Sequence, residues 1–464
     1  MQKVFDEVAS LDKRCYEEFG LSEDILMEHA ASSMQSFIED NFDQNSKVLI
    51  VCGVGNNGAD GIALARLLHK KYNLSLVTPF GIKSAMAQLQ LKRTNLVGIK
   101  ETNTIKNDQY DVVLDCLFGS GLNKPLDAKS IEIINQMNSL RGYKIACDIP
   151  SGIDKDGKIT TVAFQAHTTI TMGALKKSLF LDGAKDFVGC IIVANLGVQR
   201  ELYETKTNCY LLDQSDLKLP FRIAQNTHKG TFGHLSVISG CRSGAAVLTA
   251  LAGFNMGSGL VSVVGHENLS LPYHIMQSHK IPQNTTALAL GMGLGNFDKS
   301  EIEDILSLDI PKLIDADLFY SELLVKNLNQ TNLILTPHPK EFCSLLKLCG
   351  IDNIDITTLQ NNRFEYFSKF CAKYPNVVLL LKGSNVIIGQ GKQLFINPYG
   401  SSKLSFGGSG DVLAGIIASL LAQGYSCMDA TLNGSLIHAK VASDYDKNDY
   451  SMTPQDLIDG LKTI

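Results

Sequence analysis

The chain has 464 residues, 45% of them hydrophobic and 19% charged, with a net charge of −5. Such a length suits two large domains or about three average ones, the composition excludes a disordered or fibrous chain, and the lack of a basic field argues against a nucleic-acid partner. The 11 cysteines are scattered without a CxxC pair, no apolar run reaches membrane-spanning length, and Met1-Gln2-Lys3-Val4-Phe5 has no signal core. These features predict buried thiols in a reducing cytoplasm and no membrane partner.

In chain order, Ile25, Leu26, Met34 and Phe37 lie near helical spacing and predict a helix over 22–42. Lys47–Cys52 is a short buried strand. It runs into Gly53-Val54-Gly55-Asn56-Asn57-Gly58-Ala59-Asp60-Gly61, with a helix predicted over 62–71. Strand, Gly-rich turn and helix open a Rossmann-like unit, although the dinucleotide fingerprint does not fit, its third glycine being misplaced. Further strands are predicted at 74–79, 110–115 and 144–149, with helices over 83–97 and 128–140. The alternation implies a parallel sheet in an α/β domain, whose ligands bind beyond the carboxyl ends of the strands. The polar turns at Asn56, Asp115, Gly119 and Asp148 all fall at that edge. Each aspartate alone reads more often as a helix cap.

This set resembles the epimerase domain of NAD(P)H-hydrate repair enzymes, from Leu26-Met27-Glu28 to Gly173-Ala174-Leu175-Lys176. The family's Asn-Asn-Gly-Gly-Asp-Gly loop is similar to Asn56-Asn57-Gly58-Ala59-Asp60-Gly61, its Asp-x-Leu-Phe-Gly-Thr-Gly-Leu to residues 115–122, and its Asp-x-Pro-Ser-Gly to residues 148–152. The resemblance implies K+ held by Asn57, Asp115 and Ser151, and hard oxygen ligands suit such a cation. It implies a hydrated dinucleotide, NADHX or NADPHX, on Asn56, Asn57, Gly58, Ala59 and Asp60, on Gly119, Ser120, Gly121, Leu122, Asn123, Lys124 and Pro125, and on Asp148. Ala59 replaces a family glycine and would be strained if that position needs positive φ. Asp148 is then the acid–base candidate for inverting C6 of the hydrate. Lys176 neutralises a phosphate, positions Asp148, or is a solvated lysine beside Lys177.

Residues 203–208 are polar and patternless, and the domain boundary is expected between about 205 and 222. Beyond it, strands are predicted at 209–212, 235–239, 258–264, 287–290, 312–317, 332–336 and 377–383, with a hairpin pairing 386–389 and 393–397. Helices are predicted over 245–257 and 430–445. Ser405-Phe406-Gly407-Gly408-Ser409-Gly410-Asp411 precedes an apolar helical run at 416–421. Glycines let backbone N–H groups converge on an anion, and the helix adds its positive end. An aspartate there is a poor anion ligand but a good base for a hydroxyl attacking phosphorus. His338, fixed between Pro337 and Pro339, is a ligand candidate or a turn histidine.

This half resembles the ADP- or ATP-dependent hydrate dehydratases of the ribokinase-like superfamily. The landmarks are His228-Lys229-Gly230-Thr231-Phe232-Gly233-His234, Gly291-Met292-Gly293-Leu294-Gly295, Thr336-Pro337-His338-Pro339-Lys340-Glu341-Phe342, Lys382-Gly383 and residues 407–415. Lys340, Met292 and Leu318-Phe319-Tyr320 depart from the family pattern. The resemblance implies substrate contacts at Ala246, Gly293, His338 and Asp411. It also implies nucleotide contacts at Lys382, Gly383, Ser384, Asn385, Val386, Gly408, Ser409 and Gly410, with Mg2+ carried by ADP.

The expectation is a homo-oligomer of two α/β three-layer domains: a Rossmann-like epimerase at 1–208 and a ribokinase-like dehydratase at 209–464, with Asp148 and Asp411 catalytic. The alternatives are a vitamin-precursor kinase of the same superfamily fused to a ligand-sensing domain, and a first domain that only binds.

Overall fold

Val48, Leu49, Ile50 and Val51 follow one another without a polar break, the pattern of a strand covered on both faces. In the computed structural model, which describes residues 1–106 and 108–464, all four are fully buried. Val48 and Ile50 pack with Leu26, Met34 and Ile62 on one face, while Leu49 and Val51 pack with Ile133, Ile134 and Met137 on the other. Helix Ala128–Ser139 therefore covers one side of the sheet, and helices Glu23–Asn41 and Asn56–Leu68 cover the opposite side. This is a three-layer α/β arrangement.

The chain divides into two compact units, Gln2–Thr207 and Asn208–Ile464, the latter grouped with Met1. The first unit holds six parallel strands in the order Asn73–Val77, Lys47–Cys52, Val112–Cys116, Tyr143–Cys147, Thr168–Met172 and Cys190–Ala194. The last two are not among the strands predicted from sequence. Helix Asn56–Leu68 starts six residues earlier than its prediction, because Gly55 caps it and the Asn-Asn-Gly run forms its first turn. Ala59 is consequently helical and fully buried, and it is not among the residues with positive φ. No strain arises from replacing glycine there. The neighbouring glycines are needed for space: a Cβ at Gly58 would strike the Gly53 carbonyl, and one at Gly61 would lie 2.7 Å from the sulfurs of Cys52 and Cys116.

In the second unit, parallel strands run in the order Met276–Ser278, Leu260–Val264, His234–Ile238, Ala287–Leu290, Lys312–Ile314, Leu333–Leu335 and Val378–Leu381. The hairpin Val386–Gln390 and Gln393–Asn397 adds antiparallel, as predicted, and Cys209–Leu211 pairs parallel to its outer strand. Helix Ser409–Ala422 is buried from Val412 to Ala422 and packs against helices Ser243–Asn255 and Cys427–Asp444. All eleven cysteines are free. Among the described residues no helix is long and apolar enough to cross a membrane.

Candidate functional site

Each unit places an aspartate at a turn rich in backbone donors, and the two aspartates have opposite surroundings. In the first unit, Asp148 follows strand Tyr143–Cys147 with φ 68°, a left-handed conformation unfavourable for a residue with a Cβ. It is 8% exposed. Its Oδ1 accepts from Lys176 Nζ at 2.6 Å and from the Met172 amide at 3.2 Å, and its Oδ2 accepts from the Ser120 amide at 3.2 Å. Lys176 is 1% exposed and donates also to Thr171 Oγ1 and the Met172 carbonyl. It is thus a buried partner of Asp148, not a solvated lysine. Burial alone would favour the neutral acid, but the Lys176 ammonium and these donors hold the Asp148 carboxyl below its ordinary range.

A cavity of about 590 Å³ opens in front of Asp148. Asn56, Asn57, Asp60, Gly119, Ser120, Gly121, Leu122, Asn123 and Lys124 line it with Asp148, so most of the predicted substrate residues come together. Gly58, Ala59, Pro125 and Lys176 do not line it: Ala59 faces the core, Gly58 packs on Gly53, and Lys176 reaches the cavity only through Asp148. Asp12, in helix Ala9–Glu18, and Val8, which caps that helix, also line it and were not predicted. Burial, reinforced by Asp148 and Asp12, pushes the Asp60 carboxyl well above its ordinary range.

The residues proposed for a cation lie at the same edge. Ser151 donates from its amide to Asp115 Oδ2 at 2.7 Å and from its hydroxyl to Oδ1 at 2.6 Å. Burial pushes the Asp115 carboxyl up to about 6 despite those bonds. Both polar atoms of the Asn57 amide are buried without a hydrogen-bond partner. A buried amide left so is costly, so a bound group that engages it would be stabilising.

In the second unit, Gly408 caps helix Ser409–Ala422 with φ 96°, which frees the first amides of that helix to converge outward. Asp411 lies in the first turn. Burial and the neighbouring Asp315 carboxylate push it up to about 6, against the pull of Lys382. Lys382, at the end of strand Val378–Leu381, donates to both oxygens of Asp315 at 2.7 and 2.9 Å. A Cβ on Gly410 would lie 3.2 Å from Lys382 Nζ, so glycine lets the helix turn sit directly over the ammonium. Gly291 makes the same kind of approach on the other side, since a Cβ there would strike the Asp315 carbonyl.

Gly293, at φ 65°, packs against Arg242 and Ala245 at the start of the helix that carries Ala246, which is fully buried. His338 caps helix Pro339–Leu348, its Nδ1 accepting from the amides of Lys340 and Glu341. Its Nε2 edge remains half-exposed, 3.2 Å from Glu341 Oε1. Glu341 is pushed up to about 7 by burial and by Asp315. Asp315, Glu341 and His438, which contacts Ser409 at 3.2 Å, were not among the predicted site residues. Ser384 and Asn385 form the turn before the hairpin strand that begins at Val386. Gly383 precedes them, and a Cβ on the facing Gly400 would strike the Ser384 carbonyl.

Sequence comparison separates the same two units. A family model described as NAD(P)H-hydrate dehydratase matches residues 235–463, and one described as YjeF-related protein N-terminus matches residues 23–178. Both modules are therefore present in one chain. The bifunctional NAD(P)H-hydrate repair enzyme Nnr of Helicobacter pylori is 44% identical over 100% of each chain. That of Dictyoglomus turgidum is 31% identical over 93% of this chain and 91% of its own. The chain belongs to the family of bifunctional NAD(P)H-hydrate repair enzymes. Among solved structures, the ADP/ATP-dependent NAD(P)H-hydrate dehydratase of Bacillus subtilis, co-crystallised with ATP and Mg2+, covers 55% of this chain and 97% of its own at 25% identity and a TM-score of 0.48.

Proposed function

We infer that the protein repairs hydrated NADH and NADPH, the unit before Asn208 interconverting the R and S hydrates and the unit from Asn208 onward dehydrating the S form with ADP, which becomes AMP and phosphate. The observation that carries this is the tiling of one chain by two family models, each over a unit whose conspicuous carboxylate stands at a donor-rich turn. The same tiling, together with full-length relatives named for repair, favours this function over a vitamin-precursor kinase fused to a sensor.

In the second unit Asp411 takes the proton of the C6 hydroxyl, and the oxygen attacks the terminal phosphoryl of ADP as the bond to AMP breaks. The amides of Gly408, Ser409 and Gly410 and the helix end hold the transferring charge. The ring nitrogen lone pair then expels phosphate, and loss of the C5 proton restores the double bond. Lys382, Gly383, Ser384, Asn385 and Val386 hold the AMP moiety, and Ala246, Gly293 and His338 the hydrate. Among the described residues no group of three or more His, Cys, Asp or Glu side chains is placed to hold a metal ion.

In the first unit Asp148 is the acid–base group and Lys176 sets its charge. Asn57, Asp115 and Ser151 fit K+: the orphaned Asn57 amide lacks a partner, and the buried Asp115 carboxylate lacks a cation. A bound K+ supplies positive charge at that end of the cavity. Replacing K+ by choline is expected to slow epimerisation and leave dehydration unchanged.

The test of the overall reaction is product analysis. From S-hydrate and ADP, reduced nicotinamide, AMP and phosphate should form in equal amounts. A phosphorylated organic product that accumulates instead would support the kinase.

A further inference from the structure

Helix Ala9–Glu18 presents an acid within its apolar stripe. Val8, Leu11, Asp12 and Cys15 fall at i, i+3, i+4 and i+7, and Leu11 and Cys15 are buried. An aspartate in such a stripe is costly to bury unless it is hydrogen-bonded. Asp12 is: the Tyr203 hydroxyl, on a side chain 2% exposed, donates to its Oδ1 at 2.7 Å. The same carboxyl lines the 590 Å³ cavity together with Asp148. Both Asp12 and Tyr203 lie outside residues 23–178, the segment matched by the family model.

We propose that Asp12 is the second acid–base group of the epimerase site, held in place by Tyr203 and working with Asp148 on the hydrated ring. The proposal rests on reading this unit as the epimerase. C6 of the hydrate bears both the hydroxyl and the ring nitrogen N1, so it can invert by opening and closing the ring. Asp148 takes the hydroxyl proton, the C6–N1 bond breaks with its electron pair going to N1, and N1 takes a proton from Asp12. The oxygen is now an aldehyde. Rotation about C5–C6 turns its other face to N1. N1 then re-forms the bond and returns its proton to Asp12, while Asp148 returns its own to the oxygen. No atom is gained or lost, and both carboxyls finish in their starting states.

Two carboxyls serve opposite roles when their surroundings separate their proton affinities. The charged and titratable groups facing Asp12 are Tyr203, Lys176, Asp148, Glu7, Asp60, Cys15 and Tyr16. Burial dominates and raises its proton affinity, Asp148 and Glu7 push the same way, and Tyr203 and Lys176 oppose. Asp148 is held the other way by its direct bond to Lys176.

The test uses the full-length chain and R-hydrate without nucleotide, with the epimers separated by chromatography. Asp12→Asn keeps the shape and can still accept from Tyr203. Its kcat should fall by about 100-fold or more with KM little changed, while ADP-dependent dehydration of S-hydrate and the melting temperature stay the same. Tyr203→Phe removes a donor that lowers the proton affinity of Asp12. The alkaline limb of epimerisation should therefore move to higher pH in that variant and be absent in Asp12→Asn. An unchanged kcat, a rise in KM alone, or a limb that persists in Asp12→Asn overturns the proposal. If Asp12→Asn does not fold, an unmoved limb in Tyr203→Phe overturns it. Hydrate labelled with 18O at C6 should keep its label through one inversion, and exchange with solvent would overturn the ring-opening step. Wild-type protein that fails to epimerise would instead sink the reading of the unit, so the two failures are distinguishable.

Discussion

Asp148 and Asp411 occupy matching places at donor-rich turns, yet their neighbours tune them in opposite directions. Asp148 is bonded directly to the buried Lys176, so its charge is fixed before any ligand arrives. Asp411 has a lysine within electrostatic range, but Lys382 is already bonded to Asp315, and Asp411 is pushed up to about 6. A permanent cation makes the first carboxylate insensitive to pH in the neutral range. The second is poised near neutrality, where a base exchanges protons most effectively. The contrast fits an isomerase that needs no co-substrate and a transferase-like site that waits for a nucleotide.

The sharpest way to break this contrast is to neutralise each aspartate in turn. Asp411→Asn should lower dehydration of S-hydrate by about 10²–10⁴-fold and leave epimerisation intact, and Asp148→Asn should do the reverse, both read by separate assays on purified epimers. Lys176→Met leaves Asp148 buried without its cation. It should cost about 3–5 kcal/mol of stability in denaturant titration, and epimerisation should vanish at neutral pH and return in part as pH rises.

A smaller effect separates the sites by pH alone. The base must be ionised, so kcat/KM for dehydration should fall as pH drops through about 6, the value set for Asp411. Epimerisation should show no acid limb there, since Asp148 is lowered and stays charged. A fall in both activities as pH drops through about 6 would erase the contrast. Smallest of all, Ala59→Gly should cost about 1 kcal/mol through helix propensity and change neither activity, because Ala59 is an interior helical residue.

Much of the first site was legible because parallel sheets gather ligands at their carboxyl edge: the alternation of strands and helices placed the turns at Asn56, Gly119 and Asp148 there, the family resemblance added Asn57, Asp60 and residues 120–124, and all of them line one cavity. Lys176 stayed open because burial is a tertiary property that its neighbour Lys177 gave no hint of. Asp12 was missed with its helix, although an acid in the stripe Val8, Leu11, Cys15 was a readable signal. The start of helix Asn56–Leu68 was misplaced because asparagine and glycine read as turn formers, whereas here their run is capped by Gly55 and packed against Gly53. In the second unit the Gly408–Asp411 turn was readable from glycine and the apolar run behind it. The Lys382–Asp315 pair spans 67 residues and was invisible until the strands were laid side by side.

Two independent sites in one chain is the central claim, and mixing variants tests it most directly. R-hydrate is given with ADP to Asp148→Asn alone, to Asp411→Asn alone, and to the two together, and the return of reduced-nicotinamide absorbance is followed. Each variant alone should fail beyond the slow spontaneous epimerisation, and the mixture should recover because S-hydrate made by Asp411→Asn is released and taken up by Asp148→Asn. Full repair of R-hydrate by either variant alone, or no recovery in the mixture, would contradict it.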